Sequence, residues 1–240
     1  MKIDVNKCSG CGLCAPYCPM GVLYKDGETM SIDHDECVEC GICLNCAKCP
    51  KGAFYQDELS WPRILRAEFS NPLVPHASTG ITGRGTEEMK SNDVTGRFKP
   101  GMFGLGIELG RPGIGTRLTE VEKVSMALAE YAEEFEPVNP VTQLMVDTQT
   151  GKFRDDALGE KVLSAIVEFT APLEALPKVL ERLRKLADEV DTVFSVSLIS
   201  ILDENGKSPV EDIAKQCGFP VADRTKINVG LGRIPAKGGN

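Results

Sequence analysis

Nine of the chain's ten cysteines lie in its first fifty residues, and their spacing limits what this part can fold into. Cys8, Cys11, Cys14 and Cys18 form a C-x2-C-x2-C-x3-C run closed by Pro19. Cys37, Cys40, Cys43, Cys46 and Cys49 form a second dense run closed by Pro50. Three thiolates two residues apart on a tight loop can wrap three corners of one metal–sulfide cube, while the cysteine before the proline leaves the loop and reaches a second cube. Disulfides are a poorer reading, because no signal peptide precedes the run and the spacing is too tight for a sparse staple framework. Zinc sites use two CxxC pairs, or one CxxC with paired histidines. The chain has only two histidines, His34 and His76, and neither fits such a pattern.

On these residues, positions 1 to about 55 resemble a bacterial-type ferredoxin with two 4Fe–4S clusters. The resemblance implies that Cys8, Cys11 and Cys14 bind cluster one, and Cys37, Cys40 and Cys43 cluster two. Cys18 then crosses to cluster two, and Cys49, which keeps the Cys-Pro pair, crosses to cluster one. The second run departs from the pattern, since five residues separate Cys43 from Cys49 and Cys46 lies between them. In the alternative register Cys40, Cys43 and Cys46 form the triplet and Cys37 is spare. Gly10, Gly12 and Gly41 are expected to let the backbone approach the clusters. Lys2–Val5 is expected to pair with Gly52–Tyr55, and Asp26-Gly27 to turn a hairpin between Val22–Tyr24 and Met30–Ile32. Ile3, Leu13, Tyr17, Val22, Ile32, Val38, Ile42 and Phe54 are available to shield the clusters. So small a core draws much of its folding energy from its metals.

At 240 residues the chain has room for two domains and a connector: a cluster domain over 1–56, an irregular arm over 57–100 and an α/β domain over 101–240. In the arm Trp61–Phe69 reads as a short helix, His76 as a surface or turn residue, and Arg84, Arg97 and Lys99 as candidates to line a site or dock a partner. Beyond it, Met102–Leu109 reads as a glycine-interrupted strand. The glycines from 101 to 115 match neither the G-x-G-x-x-G nor the Walker spacing, which speaks against a nucleotide site. Thr119 to Phe135 reads as a helix with a Thr119/Glu122 capping box, stopped by Pro137. Val141–Val146 and Val162–Phe169 read as strands joined by a polar connection. A helix from about Pro177 carries Leu176, Val179, Leu180, Leu183 and Leu186 on one face. Thr192–Leu202 is strand-rich, Ser208 to Gly218 encloses a short capped helix, and Lys226–Ile234 reads as a last strand. The whole is α+β: a bacterial two-cluster ferredoxin domain followed by the βαββαβ order of a ferredoxin-like sandwich, a fold that predicts no function. Cys217 reads as a small packed residue rather than a nucleophile.

The net charge of −8 and a pI near 5.0 argue against nucleic acid. No apolar stretch is long enough to span a membrane. Cysteine-rich without a signal peptide, the chain is expected in a reducing cytoplasm, in anaerobic metabolism. Clusters do one-electron chemistry, and no catalytic set is legible beside them. The expected function is therefore electron transfer through two 4Fe–4S clusters to a redox partner or larger reductase complex, as an oxidoreductase subunit more than a self-sufficient enzyme. Two alternatives stand. Gly83-Arg84-Gly85-Thr86-Glu87-Glu88, Asn92-Asp93-Val94-Thr95-Gly96-Arg97 and Glu108-Leu109-Gly110-Arg111-Pro112-Gly113 are similar to segments of 6-hydroxynicotinate reductases. That resemblance implies a ferredoxin-dependent reductase acting on a heteroaromatic acid, with a site among Arg84, Arg97, Arg111 and the clusters. The other alternative is a binding module that the clusters merely brace.

Overall fold

The computed structural model describes residues 1–83, 96–111 and 113–221. The expected strand over Lys226–Ile234, as well as Arg84, lies outside them.

The first fifty-five residues are built from short pieces. Strand β1 (Lys2–Ile3) pairs antiparallel with β4 (Phe54–Tyr55), with Lys2 opposite Tyr55. Strands β2 (Leu23–Asp26) and β3 (Thr29–Ile32) form the hairpin turned at Gly27-Glu28. Between Gly41 and Cys46 runs one helical turn, α1 (Ile42–Asn45). Met1, Val22, Leu23, Met30, Ile32, Ala47 and Phe54 make a small core with Cys14 and Cys37. Leu13 and Tyr17 do not join it: they are 59% and 46% exposed, because their turns point the side chains outward.

The next helix, α2 (Ile64–Ser70), has every residue from Leu65 to Ser70 buried. Leu65 and Phe69 belong to the core of the C-terminal half. His76 is not at the surface: only 2% is exposed. Its Nε2–H donates to the Gly83 carbonyl at 2.5 Å, and its ring stands edge-on against Phe69, centroids 4.5 Å apart.

The C-terminal half is organised by strands β5 (Met102–Leu109) and β11 (Ala165–Pro172), which pair antiparallel along their whole length. Strand β12 (Phe194–Ile199) adds to the far edge of β5 and β7 (Glu134–Phe135) to the far edge of β11, for the order β12-β5-β11-β7, antiparallel throughout. Alternation sets the faces. Phe103, Leu105, Ile107 and Leu109 of β5, with Ala165, Val167, Phe169 and Ala171 of β11, are buried under α3 (Leu118–Leu128) and α4 (Leu176–Glu189). Glycines interrupt β5 on the opposite face. A Cβ on Gly104 would fall 2.3 Å from the Phe98 ring, so the glycine makes room for residues 96–100 to cross the sheet.

The helix beginning near Thr119 is shorter than its apolar spacing predicts. It ends at Leu128, and after a turn at 129–131 the chain becomes extended. Phe135 lies on β7 opposite Phe169, their rings 5.7 Å apart, so its helical spacing from Leu128 is incidental. Nor does the capping box form. The amides of Leu118 and Thr119 donate to the carbonyls of Glu160 and Leu158, and Glu122 instead accepts from the Phe153 amide at 2.9 Å. The Val141–Val146 strand shrinks to β8 (Met145–Asp147) after a turn, and pairs with β9 (Lys152–Phe153) inside the segment expected to be a polar connection. Val162–Phe169 divides into β10 (Lys161–Val162), which pairs with β6 (Thr116–Arg117), and β11. Pro177 lies in the first turn of α4, and α5 (Pro209–Gln216) is closed by Gly218 at φ +75. Cys217 is packed against the core.

Candidate metal centre

The first cysteine loop is shaped by its own backbone. The Asp4 carbonyl accepts from the amides of Lys7 and Cys8, and tight turns follow at Ala15 and Tyr17. Gly10 has φ +61, and a Cβ there would meet the Glu28 carbonyl oxygen at 2.2 Å. The close approach at Gly10 is thus to the β2–β3 hairpin. That hairpin in turn sends the Met30 amide to Cys8 Sγ at 3.3 Å. At Gly41 the near atoms are the side-chain amides of Asn71 and Asn45.

The thiols fall into two groups. Burial pushes the Cys14 thiol up, and Cys11, Cys49 and Cys8 beside it push the same way. Burial drives Cys43 up to about 12, reinforced by Cys40, Cys37 and Cys18. Cys40 is likewise raised by burial, with Cys37 and Cys18 adding to it. Thiols so placed resist ionising together unless positive charge lies between them, and iron supplies that charge. Cys49 differs: the Ala53 amide, helped by those of Lys51 and Gly52, holds its thiol below the ordinary value against opposing burial. Backbone N–H groups favour the thiolate form there.

Cys18, Cys37, Cys40 and Cys43 line one pocket with Pro19, Met20, Val22, Leu23, Ile32 and Val38. Among the described residues no three His, Cys, Asp or Glu side chains come close enough to hold a single metal ion. Four thiols around one largely apolar pocket, too far apart for one ion, fit a polynuclear metal–sulfide body better than zinc. Cys46 does not line the pocket; it is exposed at the end of α1, whose turn absorbs the extra residues of the second run.

Other residues brace the second loop, and the motif does not reveal them. Glu39, between Cys37 and Cys40, has φ +53 and is 2% exposed. It accepts from Arg63 Nε at 2.9 Å and Nη2 at 2.6 Å, and from the amino group of Met1. Its carboxyl is held below the usual range although burial, the largest single influence, opposes this, because the Met1 amino group and Arg63 together outweigh it. Arg66 Nη1 donates to the carbonyls of His34, Asp35 and Cys37 at 3.2, 2.7 and 2.8 Å, and its Nε to Glu160. Two arginines three apart, Arg63 just before α2 and Arg66 within it, are the one local hint of this brace. Of the arginines expected to form a substrate site, the two among the described residues are in ion pairs. Arg97 pairs with Glu136 and Glu134, and Arg111 with Glu108 at 3.3 Å.

Turns, thiols and amides of this kind define a class, and sequence comparison agrees. A family model described as a 4Fe–4S binding domain matches residues 1–24. The N-terminal part of the chain is a ferredoxin-type 4Fe–4S domain. Within that class the chain is 42% identical over 48 residues to the pyruvate synthase subunit PorD of Methanothermobacter marburgensis, covering 20% of this chain and 53% of that one. It is 45% identical over 40 residues to a ferredoxin-like protein in the vnf region of Azotobacter chroococcum, covering 17% and 62%. It is 43% identical over 53 residues to an uncharacterized protein of Methanocaldococcus jannaschii, covering 22% and 19%. The chain thus spans less than two thirds of the length of each of these relatives. No solved structure matches it significantly.

Proposed function

We propose that this chain relays low-potential electrons through two 4Fe–4S clusters to a partner reductase, as a subunit of a larger cytoplasmic assembly. Cys8, Cys11, Cys14 and Cys49 hold the first cluster; Cys18, Cys37, Cys40 and Cys43 hold the second. The observation that supports this reading is the gathering of Cys18, Cys37, Cys40 and Cys43 around one pocket, a cysteine of the first run among three of the second. When bound, the clusters supply one-electron chemistry. The chain's own groups set the environment: amides directed at Cys8 and Cys49, apolar walls around the second group, and Arg63 and Arg66 clamping the second loop. These are the means by which a protein orients and tunes such a centre. The resemblance to a pyruvate synthase subunit supports a place in a multi-subunit enzyme. No helix of the described residues is long and apolar enough to cross a membrane.

We further propose three parts: the cluster domain over 1–56, the arm over 57–100, and a ferredoxin-like βαββαβ sandwich from 101. The order β5-α3-β7-β11-α4-β12, with the strands arranged β12-β5-β11-β7, supports the last. The test of function is direct. Protein purified anaerobically contains about eight irons and eight acid-labile sulfides per chain, two cubanes' worth. It accepts electrons from dithionite and shows the paramagnetic signals of reduced clusters. A stable chain holding zinc and no sulfide would refute the proposal.

A further inference from the structure

The two cysteine groups have different surroundings. The second is walled in: Cys37, Val38 and Glu39 are 8%, 1% and 2% exposed, and Arg63 and Arg66 cross its loop. Its flanking charges, Glu36 and Glu39, are acidic and committed to ion pairs, Glu36 with Arg117 and Lys161 and Glu39 with Arg63. The first group opens outward. Cys11 is exposed, and Val5 and Leu13 in the same loop are 62% and 59% exposed. Its flanking charges are basic. Lys7 precedes Cys8, while Lys48 and Lys51 bracket Cys49-Pro50, and all three are exposed. Lys7 makes one loose contact with Asp4 at 3.4 Å, and Lys48 and Lys51 make no ion pair among the described residues. In a chain of net charge −8, this local fringe of lysines around exposed apolar side chains is the reverse of the overall balance.

We propose that the face of the first group is the port through which electrons pass between the chain and an external redox protein whose docking surface is acidic. The inference rests on the two-cluster reading. Electron transfer falls off steeply with distance, so the group beside the surface exchanges with that protein directly and the walled group exchanges with it through the first. Lysines around the port steer an acidic partner and hold it by charge, while Val5 and Leu13 supply the dry contact at the centre.

The test uses the cluster-loaded full chain, reduced with dithionite and freed of excess, and two one-electron oxidants of opposite charge in stopped flow. One is the anion tris(oxalato)cobaltate(III), the other the cation hexaammineruthenium(III). In each case the reduced protein loses one electron, Co(III) becomes Co(II) or Ru(III) becomes Ru(II), and no proton moves. At low ionic strength the K7E/K48E/K51E variant reacts about tenfold more slowly with the anion and faster with the cation. K152E/K178E/K207E, with the same change in net charge placed elsewhere, changes both rates less than the port variant does. For the parent chain, added salt slows the anion and speeds the cation, a reading that holds even if the triple variant fails to assemble. Equal effects of the two triple variants, or parent salt slopes of the opposite sign, overturn the port while leaving the two-cluster reading intact. A chain without iron and sulfide, or one that dithionite cannot reduce, removes the reading beneath it and the port with it.

Discussion

Cys49 differs from its neighbours in its surroundings. The backbone amides after it, that of Ala53 above all, hold its thiol below the ordinary value, whereas Cys46, three residues earlier, is exposed at the end of a helical turn. Cys46→Ser is therefore expected to keep its full iron and sulfide, while Cys49→Ser loses roughly half of the iron, as measured on anaerobically purified protein. His76 provides the clearest pH dependence outside the cysteines. Burial pushes its imidazole below the ordinary value, and the Gly83 carbonyl and Glu68 only partly restore it. The folded state thus favours the neutral ring. The unfolded chain binds the proton more readily, so the stability His76 contributes is complete above about pH 6.5 and is lost as the pH falls below it. Protection of the amides in residues 64–83, corrected for the intrinsic pH dependence of exchange, is expected to fall as the pH drops below about 6.5. In His76→Gln, which keeps a donor for Gly83 but cannot titrate, that part of the pH dependence disappears. An unchanged profile in the variant would assign it elsewhere.

Among elements, the β2–β3 hairpin and α2 do the most to shape the site. The hairpin presses its turn against Gly10 and delivers the Met30 amide to Cys8. Gly27, in the same hairpin, also has positive φ but open space around it. Gly10→Ala must therefore accept both backbone strain and a clash with a main-chain oxygen, and Gly27→Ala the strain alone, about 1 kcal/mol. The expected outcome is that Gly10→Ala recovers less cluster per chain and loses it sooner on warming than Gly27→Ala, followed by the visible absorbance of the clusters. Equal behaviour would mean that the hairpin does not support the first loop. Helix α2 has only seven residues, too short to persist by propensity. It is held by Leu65 and Phe69 in one core and by Arg63 and Arg66 on the other side, which joins the two halves of the chain.

At the scale of the whole molecule, two cores of unequal size share one chain. The larger one takes one face of β5 and β11 and the buried sides of α3 and α4; the smaller is a handful of side chains with Cys14 and Cys37 among them. The smaller core cannot offset the conformational entropy of its loops without metal. Removing iron by chelation after reduction is thus expected to unfold residues 1–56 while the far-UV circular dichroism of the sheet and helices largely remains. Amide exchange mapped by residue checks this: loss of protection confined to the first part, with partial loss at α2, is the expected pattern. Global unfolding on iron removal would show that α2 transmits the loss into the larger core.

What could be read from the sequence was what depends on neighbours a few residues away. Cysteine spacing determined the loops and the kind of metal body they surround, Gly27 determined the hairpin, and the leucines from 176 to 186 determined α4, because loop, turn and helix geometry repeat over three or four residues. The strand over 102–109 was legible for the same reason. Contacts between residues far apart in the chain were decided only by the tertiary structure. Phe135 continued a helical pattern, yet the open edge of β11 drew it into the sheet. Thr119 and Glu122 spelled a capping box, yet carbonyls forty residues on took the amides first. His76 looked like a turn residue until Phe69 and Gly83 enclosed it. Arg66 carries no local signal of its partners, yet it reaches back to Asp35 and Cys37 and forward to Glu160. Local spacing carries no information about which distant group arrives at a backbone amide or a buried charge, and these arrivals decided how the cysteine loops are held and which of them faces outward.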